Sequence, residues 1–97
     1  MEKHGFIYLI ENKENGWKYI GQTNDFARRW IEHCQRNNQP IDKAIDEFGW
    51  DSFKTKILET APLNELDDLE KEYIEKYGTY MGEGYNCAPG GGTARGE

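Results

Sequence analysis

At 97 residues the chain is long enough for one small domain and too short for two. Its 18 acidic and 12 basic residues leave a net charge of −6, which excludes a general polyanion binder that works by neutralising many phosphates. The longest apolar run, residues 6–10, is too short for a membrane-spanning helix or a signal-peptide core, and two cysteines make neither a disulfide framework nor a CxxC zinc pair. The expectation is a soluble, cytoplasmic protein with reduced thiols and no membrane partner.

Hydrophobic residues are sparse at 36%, but aromatic rings make up 13% of the chain, and each buries about 150–250 Å². Charge is uneven. Residues 1–36 carry a net +1 and residues 37–97 a net −7. Any contact with nucleic acid should therefore be local, and the one basic cluster is Arg28, Arg29 and Arg36.

Residues 5–11 are rich in β-formers and predict a buried strand. Asn15-Gly16 signals a tight hairpin, with residues 17–21 as the return strand. Asn24 or Asp25 can cap a helix running to about residue 35, whose apolar members Phe26, Trp30 and Cys34 recur every four positions, widened by Ala27 and Ile31. Pro40 opens a second helix over residues 41–48, stopped by Gly49. Residues 53–58 alternate as a third strand. Residues 65–77 form a third helix closed by Gly78. The order β-β-α-α-β-α predicts an α+β fold, a small three-stranded antiparallel sheet packed with helices. Glycine density in the tail predicts a domain over residues 1–88 and a glycine-rich end over 89–97.

Glu70 is the most informative single residue. On the third helix Leu66, Leu69, Tyr73, Ile74 and Tyr77 form the apolar stripe, and Glu70 lies inside it, one turn from Leu66 and from Ile74. A carboxylate at the edge of a core needs a cation or a donor. A rim ion pair satisfies that need; so does a hard cation such as Mg²⁺, which often takes one or two carboxylates and keeps its waters. Arg29 and His33, four apart, share one helix face. They read either as a solvated face or as a phosphate clamp beside a proton carrier. Tyr8 and Tyr19 lie on adjacent strands. A hairpin centred on Asn15-Gly16 puts them out of register, and a longer loop would bring them closer. Two strand tyrosines suit core packing, or a general base if a cation lowers the pKa. Gly90 to Gly92 lack the Lys-Ser/Thr of a phosphate loop, and His33, Cys34 and Cys87 lack regular zinc spacing.

The order of these signals is specific. Phe6-Ile7-Tyr8 and Tyr19-Ile20-Gly21, the helix carrying Arg28-Arg29, Ala44-Ile45 through Gly49 to Phe53, Leu69-Glu70 with Tyr73-Ile74, and Gly84-Tyr85-Asn86 together resemble the GIY-YIG nuclease family. Phe6 stands where the first motif has glycine. The resemblance implies a DNA endonuclease with one Mg²⁺ (or Mn²⁺) held mainly by Glu70. It further implies Tyr8 as the general base, assisted by His33 and Tyr19, or the two tyrosines with base and phosphate-orienting roles exchanged, with Arg29 on the scissile phosphate and Asn86 supporting the geometry. These groups are expected on one sheet face. A separate DNA-binding region or a partner protein would supply targeting. The alternative, a catalytically silent module that binds nucleic acid or protein, does not require all six residues.

Overall fold

The computed structural model describes residues 4–35, 39–80 and 84–86. Arg36, Cys87, the glycines at 90–92 and the tail at 89–97 lie outside the described residues. The elements are β1 (His4–Asn12), β2 (Lys18–Thr23), α1 (Phe26–Gln35), α2 (Pro40–Phe48), β3 (Phe53–Pro62) and α3 (Leu66–Tyr77), with short 3₁₀ turns before β3 and α3. The predicted class and order hold. The sheet is fully antiparallel in the order β2-β1-β3, so the central strand is the first one made.

Alternation along β1 divides the core between two faces. Tyr8 and Ile10, with Tyr19 and Phe53, face α1 and α2 and pack with Ile41, Ala44, Ile45 and Tyr85, flanked by Phe26 and Trp30. Ile7 and Leu9, with Ile20 and Ala61, face α3 and pack on Leu66 and Ile74. The sheet is thus the middle of three layers. A bulge beside Ile7 and Tyr8 inserts one extra residue into β3. The inserted residue reverses the alternation and turns Glu59 and Ala61 to the α3 side, where Glu59 accepts the Tyr73 hydroxyl hydrogen. Beyond the bulge β3 goes on pairing with β1 to Pro62, four residues past its predicted end.

Three further local expectations are corrected. The hairpin is not centred on Asn15-Gly16. Asn12 pairs with Trp17 across a four-residue loop, and Gly16 at φ 78° closes it. The Asn12 and Asn15 side chains accept the backbone N–H groups of Glu14 and Trp17, and so stabilise the longer turn. On α1, Ile31 and Cys34 are exposed and His33 is buried in their place. The inward face runs through Phe26, Arg29, Trp30 and His33, one position away from the apolar stripe. Tyr77, expected in the α3 stripe, is exposed and stacks on Tyr73. Among the described residues no helix is long and apolar enough to cross a membrane.

Candidate active site

The corrected register puts Tyr8 opposite Gly21, two residues from Tyr19 on the same face. The two rings lie 6.1 Å apart. A Cβ on Gly21 would stand 2.4 Å from the Tyr8 ring and hydroxyl, so any side chain there would collide with the phenol. Gly21 is therefore a requirement of Tyr8's position, and no backbone strain is involved.

Tyr8 and His33 are fully enclosed, at 0% and 1% exposure. The Tyr8 hydroxyl is 2.9 Å from His33 Nε2, and His33 Nδ1 is 2.6 Å from Asp42 Oδ1. The expectation of a solvated Arg29–His33 face therefore fails for His33. Burial pulls the His33 pKa down, against the pull of Asp42, which favours a neutral ring. Burial likewise pushes the Tyr8 phenol well above its usual range and the Tyr19 phenol up to about 12. The nearby Arg29 guanidinium opposes the shift at both phenols. Arg29 in turn donates to Glu32 at 2.9 Å. Burial alone would lower the Arg29 pKa, but the phenols and Glu32 outweigh it, so the guanidinium stays charged. The Tyr19 hydroxyl donates to Gln39 at 3.4 Å.

Glu70 is placed differently. It lies on α3, which packs against the opposite side of the sheet, so the groups do not share one face as expected. They meet around β2, an edge strand with Gly21 facing Tyr8 and the Gln22 side chain reaching α3. Both phenols still feel the Glu70 charge. Gln22 Nε2 donates to Glu70 at 2.9 Å and to Asp67, one turn earlier, at 2.8 Å. The two carboxylates, Glu70 and Asp67, offer hard oxygens with no thiolate or imidazole beside them, and that chemistry fits a cation of the Mg²⁺ type. No group of three or more His, Cys, Asp or Glu side chains forms a ready-made cage among the described residues. In particular, Cys34 is exposed while His33 is turned to Tyr8, which removes the zinc reading.

Asn86 finishes the β2 edge. Its side-chain amide accepts the Ile20 N–H and donates to the Ile20 carbonyl, both at 2.9 Å, as a neighbouring strand would. Its oxygen also accepts the Thr79 hydroxyl hydrogen at 2.6 Å. These bonds fill both acceptor positions of the oxygen and use one of the two amide N–H groups.

Sequence reasoning missed Asp42 and Gln22. Asp42 could have been found by the signal that exposed Glu70, for it too is a carboxylate within a buried stripe, here Ile41, Ala44 and Ile45. Gln22 on its edge strand gives no comparable signal.

Residues 4–86 match the family described as the GIY-YIG catalytic domain. This chain belongs to the GIY-YIG family. Protein 019R of Invertebrate iridescent virus 6 is 35% identical over 79% of this chain and 30% of its own length. Intron-associated endonuclease 1 of Enterobacteria phage T4 is 28% identical over 84% of this chain and 36% of its own. The chain thus spans about a third of the length of these curated relatives. Among solved structures, the catalytic domain of the homing endonuclease I-TevI superposes with a TM-score of 0.74 at 25% identity, covering 87% of this chain and 98% of that one. The GIY-YIG resemblance read from the five ordered motifs is therefore established, and the fold matches with it.

Proposed function

We propose that this GIY-YIG domain is the catalytic part of a metal-dependent endonuclease that hydrolyses DNA phosphodiester bonds, with Tyr8 as general base. The observation that carries the reading is the Tyr8 hydroxyl 2.9 Å from His33 Nε2, with the Arg29 charge acting on the same phenol. A phenol with a raised pKa does not ionise in advance at neutral pH. It acts as a base by taking a proton from water while passing its own to a neighbour, and His33, held neutral by burial, is that neighbour. Tyr19, bonded to Gln39 and with no such acceptor, orients the phosphate.

The Arg29 guanidinium, whose charge acts on the Tyr8 phenol, meets an entering phosphate. It then binds the scissile group and offsets its growing negative charge. The water proton passes to the Tyr8 oxygen, and the Tyr8 proton passes to His33 Nε2. The water oxygen bonds to phosphorus, the bond to the 3′ oxygen breaks, and the leaving oxygen takes a proton from solvent. The imidazolium later returns its proton through Tyr8. Glu70 would hold the metal, with Gln22 and Asp67 beside it. When bound, Mg²⁺ (or Mn²⁺) supplies positive charge against the phosphate and the departing oxygen. Asn86 keeps β2 straight beneath the tyrosines. The few cations near the site lead us to assign targeting to a further DNA-binding region or a partner.

Supercoiled plasmid incubated with and without Mg²⁺ tests the reading. Relaxation that depends on Mg²⁺ and disappears in Glu70→Gln supports it. Equal cleavage in excess EDTA would overturn the metal requirement, and full activity in Tyr8→Phe would move the base to Tyr19.

A further inference from the structure

Among the described residues, each carboxylate oxygen of Asp42 meets a hydrogen-bond partner. Oδ1 is 2.6 Å from His33 Nδ1, and Oδ2 accepts the Gln39 backbone N–H at 3.2 Å. The second bond belongs to the capping box that starts α2, with Gln39 as N-cap and Asp42 at the third helical position. Asp42 is only 3% exposed, so few waters can substitute for either partner. We infer that Asp42 is a positioning residue that fixes His33 as its Nδ1–H tautomer and so leaves the Nε2 lone pair facing the Tyr8 hydroxyl. The inference rests on the reading of Tyr8 as base and adds the reason why its proton can leave toward His33.

The argument needs only the inventory of donors and acceptors. An ionised carboxylate has no hydrogen to give, so a contact as short as 2.6 Å with a ring nitrogen requires the hydrogen on that nitrogen. A neutral ring with hydrogen on Nδ1 has an acceptor at Nε2. The nearby Arg29 guanidinium has no acceptor to offer, so the Tyr8 hydrogen is directed at His33, 2.9 Å away. From Tyr8 through His33 to Asp42, both hydrogen bonds then point the same way. With the hydrogen on Nε2 instead, the imidazole would donate to the Tyr8 oxygen and could not receive its proton.

Asp42→Asn breaks this chain at a defined point, because an amide cannot accept on both sides. The Gln39 N–H is backbone and cannot reverse, so the amide oxygen turns to it and the amide nitrogen donates to His33 Nδ1. The ring must then carry its hydrogen on Nε2. The first test needs no variant. Nitrogen-15 NMR of the ¹⁵N-histidine-labelled protein, with His4 as the only other histidine, should show His33 with hydrogen on Nδ1 at neutral pH. An Nε2–H ring or an imidazolium overturns the inference.

In Asp42→Asn the same spectrum should change to Nε2–H, while kcat falls about 10²–10⁴-fold with KM nearly unchanged. A variant that folds and keeps Nδ1–H overturns the positioning role whatever its rate. A tautomer that switches with cleavage intact confirms the positioning by Asp42 and instead overturns the use of His33 as proton acceptor. Tyr8→Phe, measured alongside, tests the base reading separately.

Discussion

One sheet supports two unlike faces. On the α3 side Ile7, Leu9 and Ile20 meet Leu66 and Ile74, an apolar contact that tolerates small shifts. On the α1/α2 side the strands bury Tyr8 against His33 and Asp42, whose polar atoms must meet at fixed distances. No buried side-chain nitrogen or oxygen among the described residues is left without a partner. The comparison teaches that apolar packing sets how firmly the sheet is held, while the polar face sets what it can do. An incompletely bonded polar core would be less stable than an apolar one, so the hydrogen-bonded chain is an all-or-none arrangement.

Substitutions should separate the two faces. The largest effect is expected for Tyr8→Phe, which removes one oxygen from the polar face. Single-turnover cleavage should slow about 10²–10⁴-fold while thermal melting changes little. A melting loss as severe as the rate loss would mean that the hydroxyl is structural. Leu66→Ala on the apolar side should do the reverse. Denaturant titration should show a loss of about 2–5 kcal/mol, with the rate per folded molecule changed only a few-fold.

The polar face should also make stability depend on pH in both directions. Burial lowers the His33 pKa below its unfolded value of about 6.5, so only the unfolded chain gains that proton as pH falls. Stability from this source is full above about pH 6.5 and is lost on acidification toward the folded pKa, with a slope of at most about 1.4 kcal/mol per pH unit. Denaturant midpoints at pH 7.5 and 5.5 should differ less in His33→Asn than in the unsubstituted protein. The phenols act with the opposite sign. Tyr19 titrates near 12 when folded and about 10 when unfolded, so stability falls as pH rises through that interval.

The smallest effect concerns binding. Arg28 is paired with Asp25 and Glu32, and Arg29 with Glu32, so the basic cluster is already partly neutralised. A titration of random-sequence duplex against salt should give a log–log slope no steeper than about −2.7, the value for ~3 neutralised phosphates. A much steeper slope would reveal a broader cationic surface than these arginines form.

The parts legible in the sequence were those encoded by local pattern. Glu70 stood out because it interrupts an apolar stripe. Gly49 and Gly78, both at positive φ, ended their helices where the sequence put the stops. What escaped depended on partners distant in sequence or on side chains capturing backbone. The Asn15-Gly16 pair signalled a tight turn, but bonds from the Asn12 and Asn15 side chains select a longer one. On α1, hydropathy pointed to Cys34, whereas Tyr8 and Asp42 draw His33 inward. Glu70 was legible as a carboxylate needing a partner, but its place across the sheet depends on how α3 packs, which the helix's own sequence does not state.

The amide of Asn86 has a bearing on how the protein is made. It supplies both outward hydrogen bonds of Ile20, 66 residues earlier, and the Tyr85 N–H binds the Lys18 carbonyl at 2.9 Å. A ribosome releases the hairpin, both tyrosines and Arg29 long before these caps exist. Until residue 86 emerges, the strand under the tyrosines carries an unpaired rim that can bind another chain as readily as its own. A nascent chain carrying nearly every chemical group of the site thus holds β2 through β1 alone and still lacks the bonds that close its outer rim.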